Sequence, residues 1–231
     1  MMLIATTVGV ALLASTAYAA GAGASASASA VPPMIINVTA SPDIAPGLVS
    51  RILAETDRIW RPSGVTFVWR RAAPVVVPYS RASETGPYVP KTVRLTIGDG
   101  RGSGNGNRQN GRLPLGWIVF DDDDVPAQEI YLSHANGVEM LVNARGVVGI
   151  VEQMPIAQRE MLLARAMGRA LAHELGHYLL ASKAHTAGGL MKPVLTAVEL
   201  FSLDSNTLRV EPAQRRVIAA RLRGEPLVAS R

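Results

Sequence analysis

His173-Glu174-Leu175-Gly176-His177 sets a carboxylate between two imidazoles, and a third imidazole, His185, follows a short way downstream. Residues four apart on a helix share a face, so His173 and His177 can direct two nitrogen ligands at one metal ion. Glu174 then stands beside them, where a carboxylate could take a proton from water. Imidazole ligands suit zinc, and a catalytic zinc usually has three protein ligands and one open position. The chemistry this pattern predicts is metal-assisted hydrolysis, with Zn2+ as cofactor and Glu174 as general base.

The third ligand must come from a turn or another element. His185 is the candidate: if the helix ends near Ala181, the Ser182-Lys183-Ala184 segment can turn the chain back and bring its imidazole to the metal. Glu199, in the apolar run Leu195-Thr196-Ala197-Val198-Glu199-Leu200, is the alternative. His185 is preferred because a ligand directly after the helix needs no further assumption about the fold. The remaining histidine, His134, reads as an ordinary strand-end residue, and Tyr178 as a packing residue.

The helix that must carry the two imidazoles is predicted over Pro155 to about Ala181, with Pro155 suited to its first position. Leu162, Leu163, Ala166, Met167, Ala170, Leu171 and Leu175 fall mostly at three- and four-residue steps, so the helix should be largely buried. Gly168 and Gly176 inside it lower helix propensity, which suits close approach by neighbouring backbone. Upstream, strands are expected at Met34–Ala40, Val65–Trp69, Thr92–Ile97, Leu113–Phe120 and Glu129–His134, with Val75–Val77 the regular part of a proline-rich stretch. A helix over Pro46–Arg61 separates the first two, and Asn136–Asn143 reads as a helical turn. Gly98–Arg112 is expected to be a mobile loop, and Asp121–Asp124 a solvated turn, because consecutive carboxylates lack the alternating spacing of a calcium loop. An amphipathic helix is expected over Glu211–Arg223. Strands followed by helices suggest an α+β class.

On His173, Glu174 and His177, with Gly189-Leu190-Met191 standing like a methionine turn, the stretch resembles the metzincin branch of zinc-dependent metallopeptidases. In the family's H-E-x-x-H-x-x-G-x-x-H pattern, Leu180 occupies the glycine position and Lys183 the third-histidine position, with His185 two residues later. The resemblance implies an α+β zincin fold: a mixed, mostly antiparallel twisted sheet packed on a long active-site helix, with a C-terminal helix. It implies a zinc metalloendopeptidase with His173, His177 and His185 on the metal, Glu174 as base, and Met191 supporting the site without ligating it. It also suggests that an extended peptide pairs with an edge strand, for which Glu129–His134 is the candidate, and that in another zincin class a glutamate such as Glu199 completes the site. A catalytically silent zincin-fold binding module with a structural zinc is the alternative function.

The composition agrees with a globular domain: 231 residues, 48% hydrophobic and 18% charged. A net charge of +5 is carried by scattered arginines rather than a basic stripe interleaved with aromatics, so a nucleic-acid partner is not expected. Residues 1–19 read as a signal peptide: a continuous apolar run ends in Ala17-Tyr18-Ala19-Ala20, a small-x-small cleavage pattern. An uncleaved anchor is the alternative, because no Lys or Arg precedes the run. Residues 20–33 read as a flexible Gly/Ala/Ser linker, and 34–231 as the metallopeptidase domain. The protein is therefore expected to be periplasmic or secreted, without stable membrane association, acting on a peptide or protein substrate. There is no cysteine, so stability must come from the core and any bound metal.

Overall fold

The structure, a computed structural model, describes residues 31–71, 92–100 and 114–225. The expectations for the signal peptide, for residues 20–30 of the linker, for Val75–Val77 and for most of the Gly98–Arg112 loop lie outside them.

In β1 (Met34–Ala40), buried Met34, Ile36 and Val38 alternate with half-exposed Ile35, Asn37 and Thr39, the period-2 pattern of a strand covered on one face. α1 (Pro46–Trp60) begins with Pro46 in its first turn, where a missing N–H leaves no intrahelical bond unmade. It buries Leu48, Ile52, Ile59 and Trp60 and leads into β2 (Phe67–Arg71), parallel to β1. β3 (Thr92–Gly98) lies parallel on the other side of β1, and β5 (Pro126–Ser133) lies parallel to β3. β4 (Gly116–Phe120) is antiparallel to β5 and ends the sheet, whose order is β2-β1-β3-β5-β4.

The sheet is therefore mostly parallel, not mostly antiparallel as the resemblance implied. The connections are long enough to permit it. A parallel pair needs a crossover of a dozen or more residues, whereas an antiparallel pair can close through a tight turn. Helix α1 supplies a crossover between β1 and β2, and residues 72–91 leave ample chain before β3. The Asp121–Asp124 run sits in the one short turn between paired strands among the described residues, and it joins the antiparallel pair β4 and β5. A second correction follows from the strand order: Glu129–His134 is not an edge, because β5 is flanked on both sides, and among the described residues the outermost strand there is β4.

After β5 the Ser133 hydroxyl accepts the Asn136 amide at 3.1 Å and caps α2 (His134–Asn143), so His134 opens a helix rather than ending a strand. α3 (Arg145–Val148) leads to α4 (Ile156–Leu180), 25 residues long, with Pro155 at the N-cap, one place before its predicted position. α5 (Ala197–Phe201) and α6 (Pro212–Arg223) complete residues 31–231 as one compact unit.

The core lies between the sheet and α1 and α4. Val93, Leu95, Ile97, Ile130 and Leu132 from the strands and Met167, Leu171 and Leu175 from α4 are buried in it. Each such side chain contributes about 1.5–3 kcal/mol of transfer free energy. The two helices approach closely at Gly168, where a Cβ would stand 2.7 Å from the Ile52 carbonyl oxygen and from Glu55 Cβ. Thr56 Oγ1 donates to the Gly168 carbonyl at 3.0 Å, and Trp60 Nε1 to the Ala172 carbonyl at 3.2 Å, just before the first metal-ligand candidate. Arg169, fully buried, bonds Glu55 at 2.9 Å and the carbonyls of Glu199, Ser202 and Asp204, tying α4 to α5 and the turn after it.

Candidate metal centre

The last turns of α4 carry His173, Glu174 and His177. The helix stops at Leu180 because Ala181 adopts a left-handed conformation (φ 46°), and its amide closes on the Tyr178 carbonyl at 3.2 Å. The chain then turns back, and the ring of His185 comes to lie 5.4 Å from that of His173, nearly parallel, and 4.9 Å from that of His177, edge-on. One nitrogen from each of the three imidazoles falls within 4.8 Å of the others. The longer connection is thus accommodated by a left-handed alanine directly after Leu180, which occupies the glycine position of the metzincin pattern.

The outer nitrogens set the tautomers. His173 Nδ1 lies 2.8 Å from the Leu190 carbonyl oxygen and His177 Nδ1 lies 2.7 Å from that of Ser182. A carbonyl oxygen only accepts, so Nδ1–H donates in each neutral ring and Nε2 carries the lone pair. Those two Nε2 atoms face each other at 3.0 Å. Two lone pairs at that distance repel unless a cation lies against both, and carbonyl-oriented imidazoles are the usual support of a metal ligand. Burial holds the His173 ring at a pKa of about 4, and it lowers His177 and His185 from 6.5 as well. All three are neutral, hence able to ligate, near pH 7. The donor set fits zinc: three imidazoles from a helix and the turn after it, the number of protein ligands a catalytic zinc usually has.

Glu174, on α4, is half-buried against β4. Desolvation outweighs a main-chain hydrogen bond from Ile118 and pushes its carboxyl up to about 8 in the metal-free protein. A cation at the three imidazoles would draw it back toward the ionised form.

Below the helix, Met191 is buried, and its sulfur would stand 2.2 Å from a Cβ placed on Gly176. Glycine at position 176 therefore makes room for the methionine side chain, whereas at Gly168 the expected close backbone is present as the Ile52 carbonyl. The Met191 turn is held by Thr186 N donating to the Met191 carbonyl at 2.8 Å and by Leu190 N donating to that of Arg209 at 3.0 Å.

Glu199 is not part of this group. Its carboxylate takes Lys192 Nζ at 2.6 and 2.9 Å and the Thr196 amide and hydroxyl at 2.8 Å each, closing a capping box on α5. His134 also lies outside it, its Nδ1 3.0 Å from Asp99 Oδ1. Tyr178 is buried, as packing required. The sequence reading missed the supporting groups, which are the Leu190 and Ser182 carbonyls, Phe120 edge-on to His177 at 6.4 Å, and β4 against Glu174. Main-chain oxygens carry no residue-type signal. Among the described residues no helix is long and apolar enough to cross a membrane.

No protein-family model matches the chain, and no curated protein matches it. Among solved structures, it is similar to archaemetzincin from Methanopyrus kandleri, with a TM-score of 0.48 and 16% identity over 83% of this chain and 96% of that one. A likeness at that level transfers neither fold family nor activity, so function must be read from the side chains.

Proposed function

We propose that the chain is an exported zinc metalloendopeptidase. The observation that carries this reading is the convergence of three neutral imidazoles, two of them oriented by carbonyls so that their lone pairs meet, beside the carboxyl of Glu174. His173, His177 and His185 would hold the metal. Zinc held by these residues would supply Lewis acidity toward a carbonyl and a water. Glu174 takes the proton of the attacking water and passes it to the leaving amine. Its place against β4 keeps that carboxyl partly out of bulk solvent, and the Ile118 hydrogen bond orients it.

β4 is the outermost strand on this side of the sheet among the described residues, which supports peptide binding as an added strand along it. The terminal apolar run and its small-residue site support export. That part is tested by N-terminal sequencing of protein from the periplasm or medium, where a first residue other than Ala20 would count against cleavage after Ala19.

The purified protein should bind about one zinc. Glu174→Gln should keep that zinc and lose at least about 100-fold in hydrolysis of a peptide library, the usual range for removal of a general base. Hydrolysis by this variant at the wild-type rate would sink the assignment of Glu174. A zinc-loaded wild type that cuts nothing across a broad library would instead mark a silent binding module. Comparing His185→Ala with Glu199→Ala tests the ligand set: zinc affinity should fall in the first and hold in the second.

A further inference from the structure

Lys183 stands at the third-histidine position of the metzincin pattern and cannot serve as that ligand, yet it is not idle. Its ammonium pairs with Asp124 Oδ1 in the turn between β4 and β5, and lies 5.2 Å above the ring of Phe120, which in turn meets His177 edge-on. The turn is prepared for this contact. Asp121 Oδ1 accepts the amides of Asp123 at 3.1 Å and Val125 at 2.8 Å, while Asp124 itself is left-handed (φ 61°). Among the described residues, Asp124 and Ala181 are the two non-glycine residues with positive φ. One aims the carboxylate of the turn and the other aims the connection that carries Lys183. Such conformations persist where surrounding contacts hold them.

The connection between Ala181 and His185 has no regular structure of its own. Beyond His185 it is anchored by the Thr186–Met191 main-chain bond; before His185 the Ser182 carbonyl and amide bond His177, the Ser182 hydroxyl accepts the Ala184 amide, and Lys183 adds the contacts that reach across to another element. We infer that Lys183 is a positioning residue: pinned to Asp124 and Phe120, it holds the long connection so that His185 faces the other two imidazoles. This inference rests on the metal-centre reading above and concerns how the third ligand is kept in place. The Lys183 and Asp124 side chains are 55% and 75% exposed, so their pairing is a modest bias on the loop rather than a clamp. Apparent metal affinity scales with the fraction of molecules whose ligand is already in place, so a modest bias on the loop appears directly in Kd.

The test is zinc affinity, measured by competition with a chelating dye, alongside the unfolding midpoint of the zinc-free protein. Lys183→Met keeps the alkyl stem over Phe120 and removes the charge; Asp124→Asn keeps a residue that tolerates the left-handed conformation. Each should weaken zinc binding by about three- to tenfold without moving the zinc-free midpoint, as expected for an exposed pair plus a cation–π contact. Lys183→Arg should restore the affinity. Wild-type affinity in both charge-removing variants, with His185→Ala impaired, would overturn the positioning role and leave the metal centre standing. Equal affinity in wild type and His185→Ala would overturn the ligand reading itself, and the positioning role with it.

Discussion

Ala181 turns the chain out of α4 in a conformation that favours glycine. An alanine there costs about 1–2 kcal/mol relative to right-handed backbone, while replacing it by glycine adds about 0.4–1 kcal/mol of unfolded-state entropy. Relief of strain is the larger of the two. Ala181→Gly should therefore gain up to about 1 kcal/mol and raise Tm by about 2–4 °C in thermal unfolding of the zinc-free protein. A lower Tm would show that surrounding contacts already compensate for the left-handed alanine. The same residue shows how local chemistry and site geometry join, because the turn it makes determines where His185 can reach.

Among elements, the short helix α5 is held at its N-terminus by one carboxylate. Glu199 bonds Lys192, its first cause of stabilisation, and then Thr196, which together bring its pKa down from 4.5 to about 2. A folded-state value below the unfolded one means stability that is complete above about pH 4.5 and is lost as pH falls toward 2. Glu199→Gln keeps an acceptor for the capping box and removes the charge. In denaturant titrations the wild type should exceed this variant at pH 6 by on the order of 1–2 kcal/mol once solvent screening is allowed for. The gap should shrink below pH 4.5 and close near pH 2; a gap independent of pH would mean that Glu199 acts by shape alone. α5 matters to the site because Arg169 bonds the Glu199 carbonyl from α4, while Lys192 directly follows Met191.

For the whole molecule, the absence of cysteine leaves the core, and any metal held at the three imidazoles, to stabilise the fold. A ligand at about 100 times its Kd adds about 2.7 kcal/mol, and a domain of this size gains roughly 2–4 °C per kcal/mol. Stripping zinc with a chelator should thus lower Tm by about 5–10 °C, by the same amount in Glu174→Gln and by less in His185→Ala. Differential scanning calorimetry with and without chelator checks this, and a midpoint indifferent to the chelator would remove the case for a bound metal. Binding would couple α4, the connection to His185 and the Met191 turn, whose backbone carbonyl at Leu190 already holds His173.

The local pattern was enough to identify the helix, its two imidazoles and the carboxylate between them, because a 3.6-residue period fixes which side chains share a face. It also marked Gly176 as a place of close approach, through the cost of a glycine in a helix, while the supporting place of Met191 came from the resemblance of its turn. Strand direction was not legible: hydrophobic alternation is the same in parallel and antiparallel strands, and only the pairing of β1 with β2 and β3, and of β3 with β5, decided it. Nor could spacing decide between His185 and Glu199 as the residue nearest the two helical imidazoles. That choice followed from a left-handed Ala181, which brings one chain segment back, and from Lys192 and Thr196, which occupy the carboxylate of the other. Both are contacts made through space, where sequence separation no longer measures distance.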